Sequence, residues 1–280
     1  MLPKKEYILN DVKRALSEDI GTGDVTAALI PEDLKIKAMI ISREPMLIAG
    51  QPWVDNVFGE IDPSIHLNWL VKEGTWLNTP TTLCYIEGLA RNILTAERTA
   101  LNFLQTISAT ATETYKYLQV IKNYKTRLLD TRKTLPGLRL AQKYAVFAAG
   151  GVNHRFGLYD AFLIKENHIK SCGSITKAIL SARALNKDLF LEVEVETLEE
   201  LKEALKSQPH RILLDNFSLT MIAEAVAINI PKHCDLEVSG GVTLENIASI
   251  AKTGVDYISV GAITKSIKAI DLSLLISESQ

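Results

Sequence analysis

Cysteine is scarce in this sequence, and the short motifs that mark common catalytic centres are missing. The 280 residues include only Cys84, Cys172 and Cys234, which lie far apart without a Cys-x-x-Cys pair. This spacing indicates neither a disulfide framework nor a cysteine-rich zinc site, so we expect three small buried side chains. The sequence also has no Gly-x-Ser-x-Gly motif, no P-loop and no His-x-x-x-His pair. A covalent nucleophile and a zinc centre are therefore not indicated.

An excess of charge and long apolar runs are missing as well. The 31 lysines and arginines nearly balance the 33 aspartates and glutamates, which gives a formal net charge of -2. This balance gives no general attraction to nucleic acid or to an anionic membrane, so any anion site must be local. No stretch is long and uncharged enough to span a bilayer, and residues 1–16 carry charges where a signal peptide needs an apolar run. We expect a globular protein of the cytoplasm, with one large core or two modest ones.

The first half of the sequence has the pattern of a small α/β domain. Apolar residues recur at helical spacing from Tyr7 to Glu18, and a long helical pattern runs from about Leu89 to Asn123. Between these helices, alternation predicts three strands and a short helix: Lys35–Glu44, a helix from Gln51, His66–Gly74 and Thr81–Gly88. The small residues Ser108–Thr112 indicate either a break in the long helix or a point of close packing.

The second half alternates short apolar runs with helical patterns, which predicts parallel strands joined by crossover helices. The runs are RLLDT, AFLIK, LFLEVEVE, RILLDN, LEVSGG and YISVGA. Periodicity alone does not choose between a doubly wound sheet and an incomplete barrel. Ligands of both folds bind at the carboxyl ends of the strands, so we expect the residues there to share one site. These strand-end residues are Thr131, Arg132, Lys165, Glu194, Glu196, Asp215, Ser239, Gly240 and Gly261.

Positive charge is concentrated between Asp130 and Lys170. Three of its cations, Arg139, Lys143 and Lys170, fall on predicted helix faces or loops, and we expect them to be solvated. The other four, Arg132, Lys133, Arg155 and Lys165, lie at strand ends or beside Gly150-Gly151. Arginine offers a planar fork for carboxylate or phosphate and lysine a point charge, so both together indicate a ligand with more than one kind of anionic group.

The later strands supply complementary groups. The turn Ser239-Gly240-Gly241, with a helix predicted from about Thr243, and Gly261 after the next strand can present backbone N–H groups to a phosphate. Glu194 and Asp215 can accept hydrogen bonds from sugar hydroxyls, hold Mg²⁺, or pair with the nearby cations.

The histidines are less decisive than the other polar residues. His154 and His168 lie within the cationic segment, where hydrogen-bonding and metal-binding roles both remain open. The other three, His66, His210 and His233, flank strands in polar surroundings and are expected to be structural.

Two other functions fit these residues. Another phosphate-handling barrel enzyme, such as an aldolase or isomerase, would use Lys165 as a Schiff-base lysine. A non-catalytic anion-binding protein would keep the fold without the acidic pair, but Glu194 and Asp215 are both present.

A series of longer motifs resembles the quinolinate phosphoribosyltransferase family over nearly the whole chain. In order, they are EDIGTGDVT, AERTALNFLQTISATAT, LDTRKTLPGLR, GGVNHRFGLYDAFLIKENHI, LEVEVE, LLDNF, VSGGVTLENI and YISVGAIT. The resemblance implies an N-terminal α/β sandwich domain, residues 1–110, completed by a C-terminal helix at 266–280. Residues 111–265 would form an open, incomplete barrel of six β/α units. A molybdenum-transport-associated family shares this fold but resembles the chain less, because it tends to lack the Leu-Asp before Thr-Arg-Lys.

The resemblance also implies an activity and a site. The enzyme would transfer phosphoribosyl from phosphoribosyl pyrophosphate to quinolinate with decarboxylation, giving nicotinate mononucleotide in NAD biosynthesis. The positions matching quinolinate contacts are Arg98, Thr131, Arg132, His154, Arg155 and Lys165. The positions matching the phosphoribosyl pyrophosphate and Mg²⁺ side are Lys133, Glu194, Asp215, Ser239, Gly240, Gly261 and Lys265. Catalytic roles would fall on Lys133, Lys165, Glu194 and Asp215, and Arg98 would come from the partner subunit of a homodimer or larger assembly.

The chain departs from the family pattern in three places. Ser108–Thr112 reads Ser-Ala-Thr-Ala-Thr in place of Ser-Gly-Ile-Ala-Thr, and Glu166 replaces an aspartate. Lys265 replaces a histidine, which keeps a cation near the expected phosphate and puts a histidine-specific role there in doubt.

Overall fold

The computed structural model describes residues 2–230 and 232–279, and the chain divides into two compact units. The first unit holds the described residues up to Tyr115, the segment Leu135–Gly150 and the residues from Ser266 onward. The second unit holds Lys116–Thr134 and Gly151–Lys265. Within the described residues, no helix is long and apolar enough to cross a membrane.

The helices and strands follow the predicted order, with several additions. Up to the long helix they are α1 (Lys5–Ile20), β1 (Lys35–Ser42), β2 (Met46–Leu47), α2 (Gln51–Ile61), β3 (His66–Trp69), β4 (Trp76–Leu77), β5 (Thr81–Leu89) and α3 (Ala90–Ile121). After it they are β6 (Arg127–Leu129), α4 (Arg139–Ala148), β7 (Ala161–Ile164), α5 (Glu166–Cys172), α6 (Ile175–Leu185), β8 (Phe190–Val195), α7 (Leu198–Ser207), β9 (Arg211–Asp215), α8 (Leu219–Ile228), β10 (Asp235–Ser239), α9 (Ile247–Ala251), β11 (Tyr257–Ser259), α10 (Ala262–Lys265) and β12 (Leu272–Ser279). The helix α9 begins at Ile247, later than the predicted start near Thr243.

The first unit is built on an antiparallel sheet with the strand order β12-β1-β5-β3. In β1 every second residue from Ile36 to Ser42 is buried, as expected for a strand with one face on a core. Trp53 and Phe58 of α2 are fully buried in the same core. A pair of short strands, β2 and β4, forms a separate antiparallel ladder.

The C-terminal segment was expected to be a helix, and that expectation is wrong. Residues Leu272–Ser279 form the strand β12, which pairs antiparallel with β1. The strand gives β1 a second hydrogen-bonded neighbour in addition to β5. Pairing along a sheet edge therefore decides the conformation of a leucine- and serine-rich segment whose local pattern is ambiguous.

The small residues of α3 are a point of close packing and not a break. Ser108 accepts a hydrogen bond from Ala49 N at 3.0 Å and donates one to Ala49 O at 2.9 Å. Thr112 accepts another from Leu47 N at 2.9 Å. Small hydroxyl residues thus let the backbone beside β2 approach the helix while satisfying its buried polar groups.

Two expectations about burial are corrected by the structure. Lys143 was expected to be solvated but is fully buried, because α4 packs all of its residues from Ala141 to Val146 into the interior. Cys172 was expected to be buried but is exposed, whereas Cys84 and Cys234 are buried. Burial raises the pKa of each of these two thiols to about 12, so they are inert apolar side chains.

The second unit contains a six-stranded parallel sheet with the order β6-β11-β10-β9-β8-β7. The first barrel strand, β6, pairs with the last, β11, so the sheet curls in barrel order and remains open between β6 and β7. Within the described residues, an isolated bridge between Leu129 and Val152 is all that extends β6 on its open side. The predicted open, incomplete barrel is confirmed, and its strands all end toward the same rim.

Candidate active site

A cavity of about 280 Å³ lies at the carboxyl ends of the barrel strands. It is lined by Thr131, Arg132, Lys133, His154, Arg155, Leu163, Lys165, Glu194, Leu213, Asp215, Glu237, Ser239 and Ser259. Most of the strand-end residues singled out from the sequence therefore share one space. The cavity combines two arginines, two lysines and three carboxylates in a protein whose net charge is close to zero.

Other predicted site residues lie outside this lining. Gly240 follows Ser239 directly, and Gly261 approaches Lys133 so closely that an added Cβ would lie 3.1 Å from Lys133 Cδ. Lys265 is exposed at the end of α10. Arg98 is exposed on α3, in the first unit.

The Thr-Arg-Lys segment is held by hydrogen bonds to its backbone. Thr131 Oγ1 accepts from Lys133 N at 3.0 Å, and Thr264 Oγ1 donates to Lys133 O at 2.7 Å. A tight turn therefore follows β6, and Lys133 is fixed against the turn that joins β11 to α10.

Asp130 brings the two cationic segments together. Its side chain is fully buried at the end of β6, where it accepts from Asn153 Nδ2 at 2.6 Å and from His154 N at 2.8 Å. These bonds place His154 and Arg155 beside the residues that follow Asp130 in the chain. Sequence analysis placed Asp130 in the cationic segment but assigned it no role.

Arg132 and Arg155 bring two positive charges close together at the cavity. Burial and the nearby charge of Arg132 lower the pKa of Arg155, while Asp160 and Glu192 act in the opposite direction. Like charges in a partly buried space repel each other, and an anion between them relieves that repulsion. The arrangement favours a ligand carrying negative charge at this end of the cavity.

Lys165 and Glu194 form an ion pair across the cavity. Lys165 precedes α5, and its backbone N–H donates to His168 Nδ1 at 3.0 Å. His168 therefore caps a helix, and of the two histidines left open by the sequence only His154 lines the cavity. The pair joins the cationic side of the cavity to the acidic side.

Asp215 is oriented by its neighbour Asn216. The Asn216 amide donates to Asp215 Oδ2 at 2.9 Å, and Asn216 N donates to Ser239 O at 3.0 Å. Asn216 has a φ of 56°, a left-handed conformation that asparagine tolerates better than most residues. Its side chain also lies where a Cβ on Gly240 would be, only 2.1 Å away. The turn after β9 and the turn after β10 are thus interlocked.

A largely buried charged cluster, two of whose members line the cavity, was missed by sequence reasoning. His154 Nε2 lies 2.9 Å from a Glu192 carboxylate oxygen, and Arg211 Nη1 lies 3.0 Å from Glu237 Oε2. Glu192 and Glu237 are both essentially inaccessible to solvent. Burial and the charge of Glu192 raise the pKa of Glu237 to about 8, and burial also raises the pKa of Glu192. Each of the two acids also retains a buried oxygen without a hydrogen-bond partner among the described residues.

Alternation within LEVEVE was the signal that could have revealed this cluster. In β8, Leu191 and Val193 share one face, whereas Glu192 and Glu194 share the other. A strand buried on both faces that carries acids at every second position must direct them into a polar barrel interior. Glu194 lies near the strand end and was predicted, whereas Glu192 lies within the strand and was not.

Comparison with known proteins places this fold and site in one family. The family model for the quinolinate phosphoribosyl transferase N-terminal domain matches residues 24–108, and that for the C-terminal domain matches residues 110–275. Nicotinate-nucleotide pyrophosphorylase [carboxylating] of Mycobacterium leprae is 43% identical, over 94% of this chain and 95% of its own length. Quinolinate phosphoribosyltransferase [decarboxylating] 2b of Nicotiana tabacum is 42% identical, over 96% and 82%.

Solved structures give the same result. The structure of the nicotinate-nucleotide pyrophosphorylase from Francisella tularensis superposes with a TM-score of 0.95 at 48% identity, covering 98% of both chains. The two domain models together account for most of the sequence, and the similarity includes the barrel and the motifs that line its cavity. The chain belongs to the quinolinate phosphoribosyltransferase family.

Proposed function

We propose that this chain transfers phosphoribosyl from phosphoribosyl pyrophosphate to quinolinate, releasing pyrophosphate and CO₂ and forming nicotinate mononucleotide. This reaction is a step in NAD biosynthesis. The observation that carries the proposal is one cavity whose lining combines Arg132, Lys133, Arg155 and Lys165 with Glu194, Asp215 and Ser239. Both substrates are strongly anionic, and one of them also carries sugar hydroxyls, so the two sets of side chains match different parts of the pair.

The cationic side holds the two carboxylates of quinolinate. Arg132 and Arg155 provide planar forks, and Lys165 provides a point charge, all within the cavity lining. Thr131 and His154 complete the wall on this side.

The acidic side holds the phosphoribosyl donor. Glu194 and Asp215 accept from the ribose hydroxyls, and Lys133 faces the pyrophosphate. The phosphate cradle comprises Ser239, Gly240 and Gly261, with Lys265 as an additional cation nearby. Interlocked turns after β9 and β10 support this assignment because they fix Asp215 and the glycine turn relative to each other.

Glu194 and Asp215 also fit Mg²⁺ as the cofactor. They place two carboxylates on one cavity wall, and Mg²⁺ favours oxygen ligands from one or two carboxylates together with substrate phosphates. When bound, the ion would neutralise charge on the departing pyrophosphate.

In this reaction the protein aligns the two substrates and neutralises their negative charge. The pyridine nitrogen forms a bond to the anomeric carbon as the bond from that carbon to pyrophosphate breaks. The resulting pyridinium ring accepts the electron pair released when the adjacent carboxylate leaves as CO₂, and a proton takes its place. Lys133, Lys165, Glu194 and Asp215 are the catalytic residues because they surround the groups whose charge changes.

The assembly is proposed to be a homodimer in which Arg98 reaches the partner's cavity. Arg98 is an exposed cation in the first unit, whereas the cavity lies in the second. A cytoplasmic location and any larger assembly are also proposals.

Conversion of quinolinate and phosphoribosyl pyrophosphate to nicotinate mononucleotide, followed by NMR or chromatography, tests the function. We expect product only when Mg²⁺ is present, and loss of product when a chelator is added in excess. Absence of product with Mg²⁺ would contradict the function, whereas full activity in chelator would contradict only the metal assignment. Borohydride inactivation in the presence of a carbonyl substrate would instead favour a Schiff base on Lys165.

A further inference from the structure

Both ring nitrogens of His154 are engaged within the protein. Nδ1 accepts a hydrogen bond from Arg155 N at 2.8 Å, so this nitrogen carries the lone pair. Nε2 lies 2.9 Å from a Glu192 oxygen and donates its proton to that carboxylate. His154 therefore connects the backbone of Arg155 to an acid in the barrel interior.

The loop that carries Arg155 borders a second cavity in addition to the substrate cavity. This second cavity, of about 220 Å³, is lined by the loop from Asn153 to Phe156, by Asp160 and Ala161, and by Phe190, Glu192 and Arg211 of the neighbouring strands. The loop is therefore not closely packed on that side. The loop is also held by hydrogen bonds, from Asn153 and His154 to Asp130 on one side and from Phe156 and Gly157 to Asp160 on the other. Arg155 itself donates from Nη1 to Ala161 O at 3.3 Å.

Arg155 lies between these two anchors, and the contact through His154 is the one that reaches its own backbone N–H. A tilt of the His154 ring would therefore be transmitted directly to Arg155. The orientation of that ring is set by Glu192, because Nε2 points at its carboxylate.

We propose that Glu192 is a positioning residue for quinolinate, acting through His154 to hold Arg155 in its carboxylate-binding orientation. The proposal rests on the function proposed above for the cavity. It assigns a role to an acid that does not line the substrate cavity and therefore cannot contact substrate there.

A cation site formed by His154, Glu192 and Glu237 is a weaker explanation of this cluster. Their ligand atoms lie within 4.8 Å of one another. However, Arg211 Nη1 lies 3.0 Å from Glu237 Oε2 and already provides a positive charge at this place. The guanidinium carbon of Arg211 also lies 4.0 Å from the centre of the Tyr257 ring, so Arg211 is packed into the barrel interior.

Glu192 could instead serve only to balance the charge of the neighbouring cations. Two conservative substitutions distinguish this role from the positioning of His154. Glu192→Gln removes the charge but keeps the length and an acceptor oxygen for His154 Nε2. Glu237, beside Arg211, is then able to carry the negative charge in its place. Glu192→Asp keeps the charge but moves the carboxylate roughly 1.5 Å away from His154.

Calorimetric titration with quinolinate, together with the KM for phosphoribosyl pyrophosphate, provides the readout for both variants. Glu192→Gln should bind quinolinate nearly as well as the unmutated protein. Glu192→Asp should bind it roughly tenfold to a hundredfold more weakly, the effect of losing one charged hydrogen bond. Neither should change the KM for the phosphoribosyl donor. Glu224→Gln, an exposed substitution on α8, is the matched control and should change nothing.

Hydrogen exchange in the folded variants measures the positioning itself. In Glu192→Asp the amide of Arg155 should exchange faster than in Glu192→Gln, while the Phe156 and Gly157 amides, bonded to Asp160, stay unchanged. Aspartate performing as well as or better than glutamine, or equal losses for both substrates, would overturn the proposal. Because quinolinate binding is measured directly, these results stand apart from the test for nicotinate mononucleotide formation.

Discussion

Single residues give the cavity its selectivity. The charge of Arg132 helps to lower the pKa of Arg155, Lys165 pairs with Glu194, and Lys133 is fixed through its backbone to Thr264. If these groups bind quinolinate as proposed, we expect little reorganisation when its carboxylates enter. Substitutions should consequently act on one substrate more than on the other.

Arg132 tests this separation of the substrates. Arg132→Ala should raise the KM for quinolinate roughly tenfold to a hundredfold, because a charged hydrogen bond contributes about 1.5 to 3 kcal/mol. The KM for phosphoribosyl pyrophosphate should change far less. Arg132→Lys restores the charge without the planar fork and should recover only part of the loss. Steady-state kinetics check this, with Arg183→Ala on the exposed face of α6 as a control, and equal losses for both substrates would contradict it.

Glu237 should make stability depend on pH. Its pKa is raised from an ordinary 4.5 to about 8 in the folded chain. Below pH 4.5 the carboxyl is protonated in both the folded and the unfolded chain, so it does not change the free energy of folding there. Between the two values the unfolded chain loses this proton while the folded chain keeps it, so stability falls as pH rises, and the full penalty remains above the upper value. Glu237→Gln cannot ionise and escapes this penalty.

Thermal unfolding from pH 5 to pH 8 measures that effect. The melting temperature of Glu237→Gln relative to the unmutated protein should rise across this range. Glu224→Gln, exposed on α8, should show no such trend. A constant difference between Glu237→Gln and the unmutated protein would show that Glu237 is ionised throughout.

Residues at strand ends were predictable, whereas buried charges were not. Arg132, Lys165 and Asp215 follow apolar runs directly, so their place at one rim follows from the parallel topology alone. Lys143 looks like a surface charge in the sequence, and for Glu192 the alternation within LEVEVE is the one local sign that its face is buried. The burial of a charge depends on partners far away in the chain, such as Arg211 and Glu237 near Glu192.

At the scale of elements, turns decide where the site groups lie. Gly240 has a φ of 94°, and an added Cβ would lie 2.1 Å from Asn216 Oδ1. The adjacent Gly241 has a φ of 59° and open space around it. A side chain at either glycine would therefore strain the backbone. Only a side chain at Gly240 would also collide with Asn216, in the turn that holds Asp215.

Alanine substitutions at Gly240 and Gly241 distinguish the effect of backbone strain from the effect of a collision with Asn216. Gly241→Ala should lower the free energy of unfolding by about 1 kcal/mol, the usual penalty of a left-handed residue. Gly240→Ala should cost about 1 to 3 kcal/mol and also raise the KM for phosphoribosyl pyrophosphate, since Asn216 must move. Denaturant unfolding and kinetics measure both effects. An unchanged donor KM in a folded Gly240→Ala protein would contradict the role of this turn.

Helices and strands with a clear apolar pattern were predicted well. Short strands that form only because they pair with a distant strand were predicted poorly. The helix α3 and the barrel strands follow directly from their apolar patterns. The short strands β2 and β4 and the terminal strand β12 depend on partners distant in sequence. Register and pairing of such strands are properties of the sheet and are not written in the segment itself.

At the scale of the whole molecule, the first unit is assembled from separate parts of the chain. The segment Leu135–Gly150 belongs to it although the barrel strands β6 and β7 flank this segment in sequence. The resemblance implied an N-terminal domain of residues 1–110 completed by residues 266–280, with all of 111–265 in the barrel, and it gave no sign that α4 belongs to the first unit. Composition does not reveal which core a helix joins.

Mixing two inactive variants tests whether the active site is shared between chains. Arg98→Ala and Arg132→Ala should each be nearly inactive, and their mixture should recover part of the activity. A mixed dimer contains one site with both arginines if Arg98 acts on its partner's cavity. Subunit exchange must be verified with differently tagged chains, and exchange without recovery would place Arg98 in its own chain's site or outside any site.

The central claim is that the cationic cavity selects an acceptor with two carboxylates. The most direct measurement supplies equal amounts of ring-labelled quinolinate and unlabelled nicotinate with limiting phosphoribosyl pyrophosphate, and follows nicotinate mononucleotide by NMR. Nicotinate leaves one or two charged hydrogen bonds unmade, a disadvantage of roughly tenfold to a few thousandfold, so nearly all product should carry the label. Product formed equally from the two acids would contradict this account of the cavity.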